Sequence, residues 1–187
     1  MLKQRKRILS LALMTAICLP AASIAAEGEN DNKWYAGAGL GVSRLEPDRN
    51  GTIYSVADKS SAGFKLYLGY DWSEKVSIEG YYSDLGEAEM SPHGEVSYKD
   101  LGASGLYYFY QQHDERHKGW EAFLKAGLGW MKNDSELPYE RVHNIHVMFG
   151  LGGGYTFDNG FTVRADIDLY DEDSQFLILS VAKRFGE

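Results

Sequence analysis

The feature that most constrains this chain is a period of two, held through eight successive segments of roughly ten residues between Trp34 and Phe185. A strand turns successive side chains to opposite faces, so each such segment carries one apolar and one polar face. Ten tilted residues are also the length that crosses a bilayer as one strand of a closed barrel. No segment keeps a helical period for long.

In the first segment, Trp34 to Arg44, the residues Trp34, Ala36, Ala38, Leu40 and Val42 share a face opposite Tyr35, Gly37, Gly39, Gly41 and Ser43. The second runs from Ala62 to Asp71, the third from Lys75 to Ser83, and the fourth from Asp100 to Phe109 with the least regular alternation. The fifth, Trp120 to Met131, is the clearest, setting Trp120, Ala122, Leu124, Ala126, Leu128 and Trp130 against Glu121, Phe123, Lys125, Gly127, Gly129 and Met131. The sixth spans Asn144 to Phe157 and meets the seventh, Phe161 to Tyr170, through Asp158-Asn159-Gly160, a strong hairpin signal. The eighth runs from Phe176 to Phe185. Eight is an even count, as bacterial single-chain barrels require.

A soluble barrel or sandwich would alternate in the same way. The aromatics separate the two. With the first strand running outward, the apolar-face residues at the inner strand ends are Trp34, Tyr70, Phe109, Trp120, Phe157, Phe161 and Phe185, and only the third strand, with Val76, lacks an aromatic there. Such a ring is the girdle expected where hydrocarbon meets headgroups, and Tyr82 and Trp130 begin the opposite ring. The expected fold is therefore all-β: one eight-stranded, antiparallel, up-and-down transmembrane β-barrel.

The amino terminus agrees with export. Lys3, Arg5, Lys6 and Arg7 precede an apolar run from Ile8 to Leu19, and Ser23 and Ala25 stand three and one before a cleavage point ahead of Ala26. This reads as a signal peptide over residues 1–25, a polar leader over 26–33 and a barrel domain over 34–187, placed in the bacterial outer membrane. Cys18, the one cysteine, follows Ile17 rather than the small residue of a lipoprotein signal and is lost with the signal peptide, so no disulfide is expected. All 27 acidic residues but only some of the 19 basic ones lie beyond the signal, which makes nucleic acid an unsuitable partner.

Beyond the signal peptide, Trp34-Tyr35-Ala36-Gly37-Ala38-Gly39, Leu68-Gly69-Tyr70-Asp71, Tyr82-Ser83-Asp84-Leu85-Gly86 and the near-terminal Phe185 resemble the OmpA-type small outer-membrane barrels over the whole exported chain. The resemblance implies an integral outer-membrane protein that meets lipids, lipopolysaccharide and, during biogenesis, the barrel-assembly machinery. It also implies an interior network of Glu, Arg and Lys, pointing to Glu79 and Arg164. Some members carry a periplasmic peptidoglycan-binding domain after the barrel; with the eighth strand ending near residue 185, none is expected here. Lys183 and the Gly186-Glu187 extension depart from the family's aromatic strand ending. Lys183 is close enough to the interface to snorkel, where a lipid-side lysine costs only about 0–1 kcal/mol.

Counting inward from the strand ends places Lys65, Glu79, Lys125, Arg164 and Asp166 on the interior face near mid-depth. An eight-stranded barrel is just wide enough for side chains to fill it, so these charges must pair or be hydrated. A salt-bridge plug is favoured over a narrow ion path. The series Gly37, Gly39, Gly41, Gly127, Gly129, Gly150, Gly152 and Gly154 lies on that face and leaves room for the large side chains; it lacks the strand-to-helix context of a nucleotide loop.

His113 and His117 sit four apart in the Gln111–Gly119 turn, without the helix that would align them as zinc ligands, so no metal is expected. His143, His146, Glu172 and Ser174 lie near the outer rim, where some small barrels modify lipid A, but no serine, histidine and acid fall in a matching pattern, and the histidines read as loop residues. No enzymatic activity or cofactor is expected. The outer loops, Leu45–Ser61, Gly86–Lys99, Lys132–His143 and Asp171–Ser174, form the exposed surface and contain no recognisable ligand motif. Envelope integrity or surface interaction is the leading expectation, ahead of a small-solute channel or a lipid A-modifying enzyme.

Overall fold

The computed structural model describes residues 33–45, 55–58, 60–91, 94–112, 118–135, 143–170 and 174–185. The expected signal sequence, most of the leader, His113, His117 and Glu172 lie outside the described residues. The described chain is all strand and turn: β1 (Trp34–Leu45), β2 (Ser55–Asp58), β3 (Ser60–Ser73), β4 (Val76–Ser91), β5 (Gly94–Gln111), β6 (Gly119–Ser135), β7 (His143–Thr156), β8 (Phe161–Tyr170) and β9 (Ser174–Arg184).

Eight of these strands close a ring. Each pairs antiparallel with its neighbours in the order β4-β3-β1-β9-β8-β7-β6-β5, and β5 returns to β4. Closure leaves no sheet edge in hydrocarbon, which an open sheet could not achieve without unsatisfied amides. The short β2 stands outside the ring and pairs only with the outer end of β4, Ser55 opposite Ser91.

The alternation read from the sequence is the alternation of burial. Along β8 every second residue, from Thr162 to Tyr170, is buried and every intervening one exposed. Leu40, Leu68, Leu101, Leu128, Val147, Ile167 and Leu179 lie on the outer face, about half exposed, while Tyr35, Tyr67, Tyr81, Tyr108 and Tyr170 and charged residues such as Lys65, Glu79 and Arg164 turn inward. The apolar side of each strand thus covers the outside of the barrel, the reverse of a water-soluble fold.

Strand ends differ from expectation in three places. The expected loop Gly86–Lys99 is mostly strand, a long β4–β5 hairpin paired out to Met90 opposite Gly94. A bulge between Asp84 and Gly86 shifts the phase of the alternation there, so the pattern of period two breaks although the pairing continues. Gly86, at φ +81°, supplies the left-handed backbone that this bulge needs. The expected loop Leu45–Ser61 contains β2 and the first residues of β3, and strand structure continues through Lys132 to Ser135. Two further bulges, between Asp71 and Ser73 and between Tyr108 and Tyr110, lie at the opposite end. The latter sends both Phe109 and Tyr110 outward, while the irregular pattern of the fourth segment comes from Leu106 and Tyr108, apolar residues that turn into the lumen.

Candidate functional site

The interior divides into three tiers. In the middle, Lys65 from β3, Glu79 from β4, Lys125 from β6, and Arg164 and Asp166 from β8 come together, all buried. Arg164 donates from Nη1 to Glu79 Oε1 at 2.5 Å and from Nη2 to Asp166 Oδ2 at 2.9 Å. Lys125 Nζ donates to the same Asp166 oxygen at 2.6 Å and to Asp168 Oδ1 at 3.1 Å. Lys65 donates to the other oxygen of Asp168.

The result is one alternating line of charge: Glu79, Arg164, Asp166, Lys125, Asp168, Lys65. Its ends and flanks are closed by rings. Tyr35 donates to Glu79 Oε1 at 2.9 Å, and Tyr170 donates to Asp168 Oδ2 at 3.3 Å. The Arg164 guanidinium lies 4.7 Å from the ring centres of both Tyr67 and Phe123, and the Lys65 ammonium lies 4.3 Å from that of Tyr81. These rings fit because the facing strands carry glycine: a Cβ on Gly152 would lie 2.5 Å from the Phe123 ring, and one on Gly37 would overlap Tyr67.

Asp168 is the member that sequence reasoning missed, and a signal for it existed. Three cations and two carboxylates leave an unbalanced positive charge, which a closed low-dielectric interior tolerates poorly. The sequence offers one more carboxylate on the same face of β8, two residues beyond Asp166.

At the inner end, Arg184 pairs with Asp71, which also accepts from Ser77, and the guanidinium lies 5.0 Å from the Tyr35 ring. Thr156 and Thr162 share a hydrogen bond of 2.8 Å. At the outer end, Leu85, Met148, Tyr170, Phe176 and Ile178 form an apolar layer, and beside it stand the buried Asp100 and His146. The alternation of the sixth segment places His146 on the inward face of a strand near the rim, and the structure keeps it there rather than in a loop. It belongs to β7, where the alternation turns it inward against the Tyr170 ring, 5.8 Å away. Of the other rim residues, Ser174 opens β9, and of His143 only the backbone is described.

On the outside, Trp34, Phe109, Trp120, Phe157 and Phe161 are exposed at the inner strand ends, and Tyr70 and Phe185 are half-buried. Trp34 and Tyr70 are register partners with ring centres 5.0 Å apart. Trp72, Tyr110 and Tyr155 extend this belt. Along β6, Trp120 and Trp130 are ten residues apart, which at strand rise and barrel tilt is about 25 Å across, the height of an outer-membrane apolar band. Lys183 Nζ donates to the Asn159 carbonyl in the β7–β8 turn and lies 5.1 Å from the Phe161 ring, so its charge reaches the interface.

Comparison with known proteins follows this geometry. The outer membrane protein beta-barrel domain family matches residues 9–185. Among solved structures, Neisserial surface protein A (NspA) is similar at 17% identity and TM-score 0.57, over 82% of this chain and 97% of that one. OprG from Pseudomonas aeruginosa is similar at 9% identity and TM-score 0.58, over 82% and 96%. The N-terminal β-barrel domain of Pseudomonas aeruginosa OprF is similar at 16% identity and TM-score 0.54, over 82% and 98%. At such identities the likeness is one of fold. No curated protein matches the chain in sequence.

Proposed function

The chain belongs to the outer membrane protein beta-barrel domain family and so to the bacterial outer membrane, and from that premise we propose that it is a plugged, non-enzymatic barrel serving envelope integrity or surface interaction. The observation that carries this reading is the middle tier. Six ionised side chains, three of each sign, alternate across the interior, and each is buried. A conducting lumen needs charges that water can reach and that an ion can exchange with; here each charge faces a fixed counter-charge or a ring.

In this reading the aromatic belts seat the barrel among outer-membrane lipids and lipopolysaccharide, and the assembly machinery inserts it after the signal peptide is removed. The long β4–β5 hairpin stands beyond the upper belt and presents the surface for an extracellular ligand. Single-channel recording on the refolded protein in planar bilayers tests the plug. Silence is expected for the wild type, and steady conductance steps that vanish on changing Glu79 or Lys125 would replace the plug by a narrow channel. Mass spectrometry of lipid A from cells with and without the protein is expected to give identical profiles, and a shifted acylation pattern would overturn the non-enzymatic reading.

A further inference from the structure

The outer tier holds a carboxylate that the middle tier does not neutralise. Asp100 is 1% exposed, and neither of its oxygens makes a hydrogen bond. The six charges of the middle tier balance among themselves. Lys65 of that network is engaged by Asp168 and lies 4.3 Å from the ring centre of Tyr81. What faces Asp100 is His146, with Nε2 at 3.6 Å from Oδ2, and the Tyr81 hydroxyl, also without a hydrogen bond.

That separation is long for a hydrogen bond, but it suits two ligands of one ion. Metal–nitrogen and metal–oxygen bonds of about 2.0–2.2 Å place two donors about 3.3–3.6 Å apart at tetrahedral to trigonal angles. The donors also converge on a space the sequence keeps open. Asp100 lies on β5 and His146 on β7, and the strand between them carries Gly129, register partner of His146. A Cβ on Gly129 would lie 2.7 Å from both Asp100 Oδ1 and His146 Nε2.

We propose that Asp100 and His146 bind one late first-row divalent metal ion in the outer lumen above Gly129, with the Tyr81 hydroxyl or water completing the coordination. Imidazole and carboxylate together suit zinc, whose tetrahedral site matches this separation, and copper(II), whose place in the Irving–Williams order makes it the more sensitive probe. Met131, register partner of Asp100, and Met148, two residues beyond His146 on the same inward face, belong to the apolar layer beside the pair. At 8% exposure His146 is the most accessible of the buried polar residues among those described. The ion would join β5 to β7 across the intervening strand, so its binding adds to the stability of the folded barrel.

The test uses the refolded barrel in detergent with His93, His113, His117 and His143 all changed to glutamine, which removes the other imidazoles. Titration with copper(II) alone, followed by calorimetry and electron paramagnetic resonance, is expected to give one equivalent per chain with nitrogen coupling, and a raised unfolding temperature. His146→Gln and Asp100→Asn should each weaken binding about tenfold or more and abolish the thermal shift. Heat-modifiable gel migration reports whether those variants fold; where either does not, Gly129→Ala, which fills the point of convergence, should lose the ion instead. Absence of saturable binding in the four-histidine variant, or binding unchanged by His146→Gln or by Gly129→Ala, would overturn the site.

Discussion

The middle and outer tiers of the same lumen solve the burial of charge in different ways. In the middle tier, carboxylates and cations from β3, β4, β6 and β8 alternate until the sum is zero, and every link is a charge-assisted hydrogen bond or close ion pair. In the outer tier one carboxylate faces one imidazole at a distance that makes no hydrogen bond. Charge is affordable inside a small barrel only when its partner arrives with it from another strand. Among the described residues no buried lysine or arginine hydrogen-bonds this carboxylate, and that is where chemistry from outside the chain has a place.

The comparison can be broken most forcefully at its strongest link. Arg164→Ala strands Glu79 and Asp166 together and should cost about 3–5 kcal/mol, read as a lower denaturant midpoint for the barrel refolded into vesicles. An unchanged midpoint would mean that the middle tier is hydrated rather than paired.

A matched pair of substitutions sharpens the contrast. Asp166→Asn removes the carboxylate shared by Arg164 and Lys125 and should destabilise by ~2–3 kcal/mol. Asp100→Asn, measured without metal, should change stability by less than about 1 kcal/mol, because it removes a charge that no hydrogen bond supports. Equal losses at the two sites would erase the difference between the tiers. The smallest effect is expected on the outer wall, where Lys183→Met should shift stability by no more than about 1 kcal/mol, since the ammonium already reaches the interface at Asn159. A loss comparable to Arg164→Ala would show that the wall, not the lumen, carries the decisive charge.

Much of this was legible beforehand for a specific reason. Period two is a one-dimensional property, and in a membrane barrel it maps directly onto lipid and lumen, so Leu124 and Lys125 could be sent to opposite sides without knowing any neighbour. The five lumen charges were legible in the same way, by counting inward from the aromatic ends. Asp168 was not singled out because its importance lies in a sum over four strands rather than in its own segment. The extension of β4 and β5 past Asp84 was hidden by a bulge, since a single inserted residue inverts the pattern on which strand reading depends. His146 was legible as an inward residue near the rim, but its place beside Asp100 depends on the register of β6 with both β5 and β7.

By itself, then, the order of residues determined the compartment, the number of membrane-crossing strands, and which side chains face lipid, because each follows from local alternation and from aromatics at strand ends. Only the tertiary structure decided which charges touch, that Asp100 faces the imidazole of His146, and how far the β4–β5 pairing continues past Asp84. Those depend on register around a closed ring, where residues such as Lys65 and Asp168 meet across the lumen although more than a hundred positions separate them in the chain.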